Sequence, residues 1–233
     1  MKGVLGLIPA RAGSKGVPRK NLRLVGGAPL VSWTWAAART VPAVERLVVS
    51  TDDPEVAALA REAGVDVPFV RPSHLASDTA SVFAVAEHAL GWLKDAEGYE
   101  PDAVLLLQPT SPLRTAQDIE SAIVIMDRQR ASAVVSVCEM EHHPFWTFSM
   151  NPDGVLRWLA EEGKAATQRQ ELPPAYRMNG AIYLVRRQVL LEQRTFHPEP
   201  TVGFVMPPDR SIDVDSEWDL RLADLVISAR LNA

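Results

Sequence analysis

The 233-residue chain contains one cysteine, Cys138, three tyrosines and five histidines. A single thiol excludes an intrachain disulfide and any cysteine-rich metal site. Cys138 lies in an apolar run with no supporting base beside it in sequence, so it reads as a packed strand residue rather than a catalytic thiol. His142-His143-Pro144 is the one place where histidines adjoin, and it lacks a third ligand at a spacing diagnostic of zinc. No run approaches the ~18 apolar residues of a membrane-spanning helix. Val4 to Ile8 follows Met-Lys-Gly without the long apolar segment of a signal peptide, and a cytoplasmic location is expected. A formal net charge of -5 argues against a general nucleic-acid or membrane-surface binder, because such partners select a broad basic face.

What is present is the composition of a soluble globular chain, 47% hydrophobic and 23% charged, long enough for a sizeable core. Short apolar runs alternate with segments of helical period, the pattern of an α/β fold with a mostly parallel sheet. Val4 to Ala10, Arg46 to Thr51, Ala103 to Gln108 and Ser132 to Cys138 read as buried strands. Between them, Val56, Leu59, Ala60 and Ala63 share one helical face, with Asp53 before Pro54 as the start and Gly64 as the stop. Val82, Val85, Ala86, Ala89, Leu90 and Leu93 make a second stripe, and Ile119, Ala122, Ile123 and Met126 a third. No linker divides the chain, so residues 1–233 are expected to form one domain. Residues 139–176 break the rhythm and hold Phe145, Trp146, Phe148, Trp158 and Tyr176. Core packing explains these rings, but an inserted arm that buries them against a second copy is favoured, giving a homodimer.

The cations are concentrated near the N-terminus. Residues 8–23 read Ile-Pro-Ala-Arg-Ala-Gly-Ser-Lys-Gly-Val-Pro-Arg-Lys-Asn-Leu-Arg and carry Arg11, Lys15, Arg19, Lys20 and Arg23 with no carboxylate. Gly13, Gly16 and Pro18 turn the backbone, and turns of this kind aim N–H groups at a polyphosphate while the cations screen it. The spacing is neither that of a Walker A loop nor that of a dinucleotide fingerprint. In an open parallel sheet ligands gather at the carboxyl ends of the strands, so this loop is expected to meet Asp52 and Asp53 and the segment Gln108 to Arg114.

Ser211-Ile212-Asp213-Val214-Asp215 is the second constellation. If residues 212–215 are extended, Asp213 and Asp215 project from one side and can share a Mg²⁺ ion. The competing reading makes Asp215 a helix cap, although Ser216 and Asp219 already fit the Ser-x-x-Asp capping pattern. The helix that follows carries Leu222, Leu225 and Ala229. Arg177 to Leu184 runs from a turn into an apolar strand, and taken alone Asn179-Gly180 is simply a turn and Tyr183 a strand aromatic.

Taken in order, Ile8 to Leu22, Leu75 to Ser81, Gln108 to Arg114, Asn179 to Tyr183 and Ser211 to Asp215 resemble the cytidylyltransferases that activate sialic acids, the N-acylneuraminate cytidylyltransferases. Related enzymes acting on 3-deoxy-manno-octulosonate lack the Ser-Lys-Gly found here at Ser14 to Gly16. Those loading legionaminic or pseudaminic acid look similar in the same motifs. The resemblance implies a single-domain Rossmann-like nucleotidyltransferase fold and the reaction CTP plus an N-acylneuraminate giving the CMP-sugar and pyrophosphate. It implies that Arg11, Gly13, Ser14, Lys15, Lys20 and Asn21 hold CTP, that Asp78, Thr79 and Ser81 line the nucleotide pocket, and that Asp213 and Asp215 hold Mg²⁺. Gln108, Arg169, Asn179 and Tyr183 would address a nine-carbon keto sugar acid, Arg169 from across a dimer interface. Trp146 stands where some members have lysine. Arg11, Lys15 and Lys20, with the metal, would screen the repulsion between nucleophile and triphosphate. A different nucleotidyltransferase, or a non-catalytic nucleotide-binding regulator on the same fold, are the competing readings, and the paired aspartates count against the second.

Overall fold

A computed structural model describes residues 3–165 and 168–232. Its main strands are β1 (Val4–Pro9), β4 (Val44–Ser50), β5 (Ala103–Leu106), β6 (Ala133–Glu139), β9 (Tyr176–Arg186) and β10 (Val202–Val205). Two short ribbons stand apart, β2 (Leu24–Val25) with β3 (Ala28–Pro29), and β7 (Phe148–Met150) with β8 (Leu156–Trp158). The helices are α1 (Leu30–Ala38), α2 (Pro54–Glu62), α3 (Val82–Glu97), α4 (Ala116–Gln129), α5 (Arg187–Gln193) and α6 (Glu217–Leu231). The four strands expected from sequence lie within a residue or two of their observed limits.

The six-stranded sheet has the order β10-β6-β9-β5-β1-β4. The pairs β1–β4, β1–β5 and β6–β10 are parallel, while β9 runs antiparallel between β5 and β6. Alternation along the strands divides the core. Val4 and Ile8 of β1 with Leu105 of β5 face α1, α2 and α4, whereas Leu5, Leu7, Val104 and Leu106 face α3 and α5. Both faces are covered, which is why these strands read as continuous apolar runs. Each fully buried leucine or isoleucine here contributes about 2 kcal/mol of transfer free energy.

The helix limits follow from their caps. Asp53 accepts hydrogen bonds from the N–H groups of Glu55 (2.9 Å) and Val56 (3.5 Å), Pro54 opens α2, and Gly64 beyond its end has φ +71°. Ser216, not Asp215, caps α6: its hydroxyl accepts from Asp219 N–H, and the Asp219 carboxylate accepts from Ser216 N–H at 2.8 Å. The sequence pointed to Leu222, Leu225 and Ala229 on this helix, yet Leu220, Ala223 and Ile227 are the buried positions, against Val17, Val25, Leu30, Leu113 and Val214. α6 has apolar residues on both sides, so periodicity does not select the inner one. Its packing pins the cationic loop through Val17 and the acidic segment through Val214. Among the described residues no helix is long and apolar enough to cross a membrane.

Candidate active site

The loop after β1 is held by its own backbone. Ala10 N–H donates to Ser50 O and Ala12 N–H to the Asp52 carboxylate, each at 2.9 Å, so the ends of β1 and β4 meet as expected. Asn21 donates from Nδ2 to Arg11 O at 2.9 Å, closing the loop. Lys20 Nζ donates to Val214 O at 2.5 Å and lies 3.1 Å from Asp215 Oδ1. A Cβ on Gly16 would stand 2.1 Å from Asp215 O, a contact only glycine permits. The cationic turn and the acidic segment are thus in direct contact, although they are separated by almost the whole chain.

They line one cleft of about 400 Å³, together with Arg71, Asp78, Gln108 and Thr110. Arg11, Gly13, Ser14, Lys20 and Asn21 supply one wall, and Asp213 and Asp215 the other. Val214 N–H donates to Thr110 O at 2.7 Å, which joins the acidic segment to the loop after β5. Burial pushes the Asp213 carboxyl above its ordinary pKa and the neighbouring Asp215 adds to the rise, against a hydrogen bond from Thr110. Asp213 Oδ1 is buried without a hydrogen-bond partner, whereas the Asp215 side chain is largely exposed. Such an oxygen suits a hard cation. No cluster of three or more His, Cys, Asp or Glu suited to a metal occurs among the described residues. The pair therefore fits an ion that takes the rest of its shell from water and phosphate.

Asp78 belongs to this cleft, whereas Lys15, Thr79, Ser81, Asn179, Tyr183 and Arg169 lie outside its lining. Asp78 pairs with Arg11 at 2.7 Å and Lys15 at 2.8 Å. Ser81 caps α3 by accepting from Ala84 N–H at 3.1 Å, and Thr79 lies 3.4 Å from the Ser77 hydroxyl. Asn179 is fully buried beneath the cleft. Its Oδ1 accepts from Ser136 Oγ (2.6 Å), its Nδ2 donates to Ser211 Oγ (2.9 Å), and its carbonyl accepts from Ser111 Oγ (3.0 Å). Tyr183 is buried in the second core cluster beside Phe196 and His197. Arg169 lines a separate cavity with Glu139, His143 and Pro173, donating to Met140 O at 2.8 Å. His143 ties that segment together: Nδ1 accepts from Phe145 N–H at 3.2 Å, so Nε2 carries the proton donated to Pro173 O at 2.8 Å.

Arg71 escaped the sequence reading, and Arg114 and Gly180 lay within its motifs without a role of their own. Arg71, buried in the cleft wall, donates from Nε to Ser50 Oγ at 3.0 Å and from Nη2 to Ser50 O. Burial lowers its pKa to about 10, which leaves it cationic at neutral pH. Arg114 is fully enclosed and donates to Ala181 O at 2.7 Å and Gln108 O at 2.6 Å, fixing the β5 loop to β9; burial lowers its pKa to about 9. Gly180, with φ +73°, lets Gln108 and Asp213 close over β9. The Asn-Gly pair was the only local signal for it, since long-range approach leaves no mark in sequence.

A family profile described as "Cytidylyltransferase" matches residues 5–216. The chain belongs to this family. The cytidylyltransferase is 34% identical over 233 residues to a CMP-N,N'-diacetyllegionaminic acid synthase of Legionella pneumophila, covering 99% of this chain and 98% of that one. It is 31% identical to an N-acylneuraminate cytidylyltransferase of Escherichia coli, covering 94% of this chain and 51% of the relative. Its fold matches a CMP:2-keto-3-deoxy-manno-octonic acid synthetase complexed with CTP, at a TM-score of 0.72, 20% identity, and 99% and 100% coverage of the two chains.

Proposed function

We propose that this cytidylyltransferase couples CTP to the anomeric hydroxyl of a nine-carbon 2-keto sugar acid, an N-acylneuraminate or its legionaminic counterpart, and releases pyrophosphate. The observation that carries the reading is the single cleft shared by the cationic turn and the Asp213–Asp215 pair. The sugar oxygen bonds to the α-phosphorus as the bond from that phosphorus to the bridging oxygen breaks, the bridging oxygen leaves with pyrophosphate, and the hydroxyl proton passes to solvent water. Arg11, Lys15 and Lys20 neutralise charge that builds on the departing pyrophosphate, and Ser14 and Asn21 border the same wall. Asp213 and Asp215 would hold Mg²⁺, which when bound would polarise phosphate oxygens as a Lewis acid. Gln108 borders the cleft on the side of Asp213 and is the side chain best placed to meet the sugar.

The end-to-end likeness to a relative named for legionaminic acid favours that sugar as a second reading. Residues 139–176 support a homodimer, with Phe148, Met150, Leu156 and Leu159 exposed on or beside the β7–β8 hairpin. In that dimer Arg169 reaches the partner's cleft and receives the sugar carboxylate through its two-donor fork. The test is pyrophosphate release with CTP and Mg²⁺ across a panel of eight-carbon and nine-carbon keto acids. Release with a nine-carbon acid is expected; release only with an eight-carbon acid overturns the substrate class, and none with any acid leaves nucleotide binding alone.

A further inference from the structure

We propose that Asp78 is a specificity-determining residue: its carboxylate occupies the place of a phosphate group and must be displaced from Arg11 and Lys15 by the incoming ligand. This rests on reading residues 11–21 as a polyphosphate loop. The two oxygens of Asp78 are divided between the cations, Oδ1 at 2.7 Å from Arg11 Nη2 and Oδ2 at 2.8 Å from Lys15 Nζ. The remaining cations of the loop have other partners: Arg19 pairs with Glu55, Lys20 with Asp215 and Arg23 with Glu217. Arg11 and Lys15 are therefore the pair bridged by one carboxylate at the cleft wall.

The bridge is built to exchange. Lys15 is 80% exposed and Asp78 40% exposed, so each contact is screened by water and salt and is individually weak. Hydrogen bonding from Lys15, with Arg11 assisting, holds the Asp78 carboxyl below its ordinary pKa, so the competitor stays charged at neutral pH. Two cations and one carboxylate leave a single net positive charge. A monoanion that replaces Asp78 gains nothing over the contact it breaks, whereas a triphosphate brings several charges to the same two cations. Asp78 thereby sets a charge threshold for entry and reclaims the cations when pyrophosphate departs.

The experiment is calorimetric titration of the full chain in metal-free buffer of fixed low ionic strength, with tripolyphosphate, inorganic phosphate and CTP as probes. Asp78→Asn is expected to bind tripolyphosphate about tenfold tighter than wild type, the size of two surface ion pairs removed from competition. Asp78→Glu, which keeps the charge, is expected to stay within about twofold of wild type, and Lys15→Gln to shrink the gain from Asp78→Asn. Asp78→Ser serves the same comparison if the amide alters thermal unfolding. Wild type that binds tripolyphosphate as tightly as both neutral variants overturns the role of Asp78 and leaves the phosphate loop intact. Failure of wild type and every variant to bind tripolyphosphate or CTP overturns the loop reading, and this proposal with it.

Discussion

Gly180 sits at φ +73° where β9 passes under the cleft, and a Cβ there would lie 2.9 Å from Gln108 Oε1 and 3.2 Å from Asp213 Oδ2. Alanine at this position carries both the left-handed backbone cost and the steric push on two cleft residues. Gly180→Ala is expected to lose about 1–2 kcal/mol of stability in thermal melts and at least about tenfold in pyrophosphate-release turnover, since misplacing catalytic groups by a fraction of an ångström is costly. A second residue pair sets acid sensitivity. Asp118 is buried and accepts from Arg210 Nη2 at 2.8 Å and Nε at 3.0 Å. Burial raises the Asp118 pKa, but the Arg210 and Thr115 hydrogen bonds outweigh it and hold the carboxyl below its ordinary value. Because the folded pKa lies below the unfolded one, this contribution is present above about pH 4 and is lost as pH falls through the folded value. Arg210→Ala should cost on the order of 2 kcal/mol at pH 7, less than a fully enclosed pair because part of Arg210 meets water. It should also flatten the fall in denaturation midpoint below pH 4.

At the scale of elements, a close backbone approach adds to the Lys20 contacts that join the cationic turn to the acidic segment. The Cβ of alanine at position 16 would meet Asp215 O at 2.1 Å, a backbone atom that cannot swing aside. Gly16→Ala is expected to push the turn off the segment and raise the Michaelis constant for CTP about tenfold or more while far-UV circular dichroism stays unchanged. α2 was legible in sequence because Asp53, Pro54 and Gly64 mark its ends chemically, and α3 and α4 because each has one apolar stripe, packed on opposite faces of the sheet. α6 was legible in place but not in orientation, because only the surface built by Val17, Val25 and Leu30 decides which apolar side turns inward. β9 showed as an apolar strand, but nothing local fixes its direction or its place between β5 and β6. Within the site, the loop cations and aspartates stood out as charge at unusual density. Arg71 and Arg114 did not, since a buried arginine looks like any other until its carbonyl partners are known.

At the scale of the whole molecule, the hairpin of β7 and β8 presents apolar side chains to solvent outside the layered core. Phe148 and Trp158 pack with their ring planes tilted by 43° and centroids 4.2 Å apart, while Met150, Leu156 and Leu159 are each more than half exposed. An area of this character away from the core is what the proposed homodimer would bury. Sedimentation at micromolar concentration is expected to give a dimer, and the double substitution Met150→Asp, Leu156→Asp a folded monomer. A wild-type monomer removes the hairpin from this role. The antiparallel strand β9 has a consequence for biosynthesis. β5 and β6 both emerge from the ribosome before it, and each has a hydrogen-bonding edge that only residues 176–186 can satisfy. Nascent chains ending near residue 140 therefore carry one open, strongly apolar edge on β5 and two on β6, whose other partner β10 is also still to come, the condition under which intermediates aggregate. The central slot of the sheet closes late, so chaperone dependence should be greatest for chains stalled between β6 and β9.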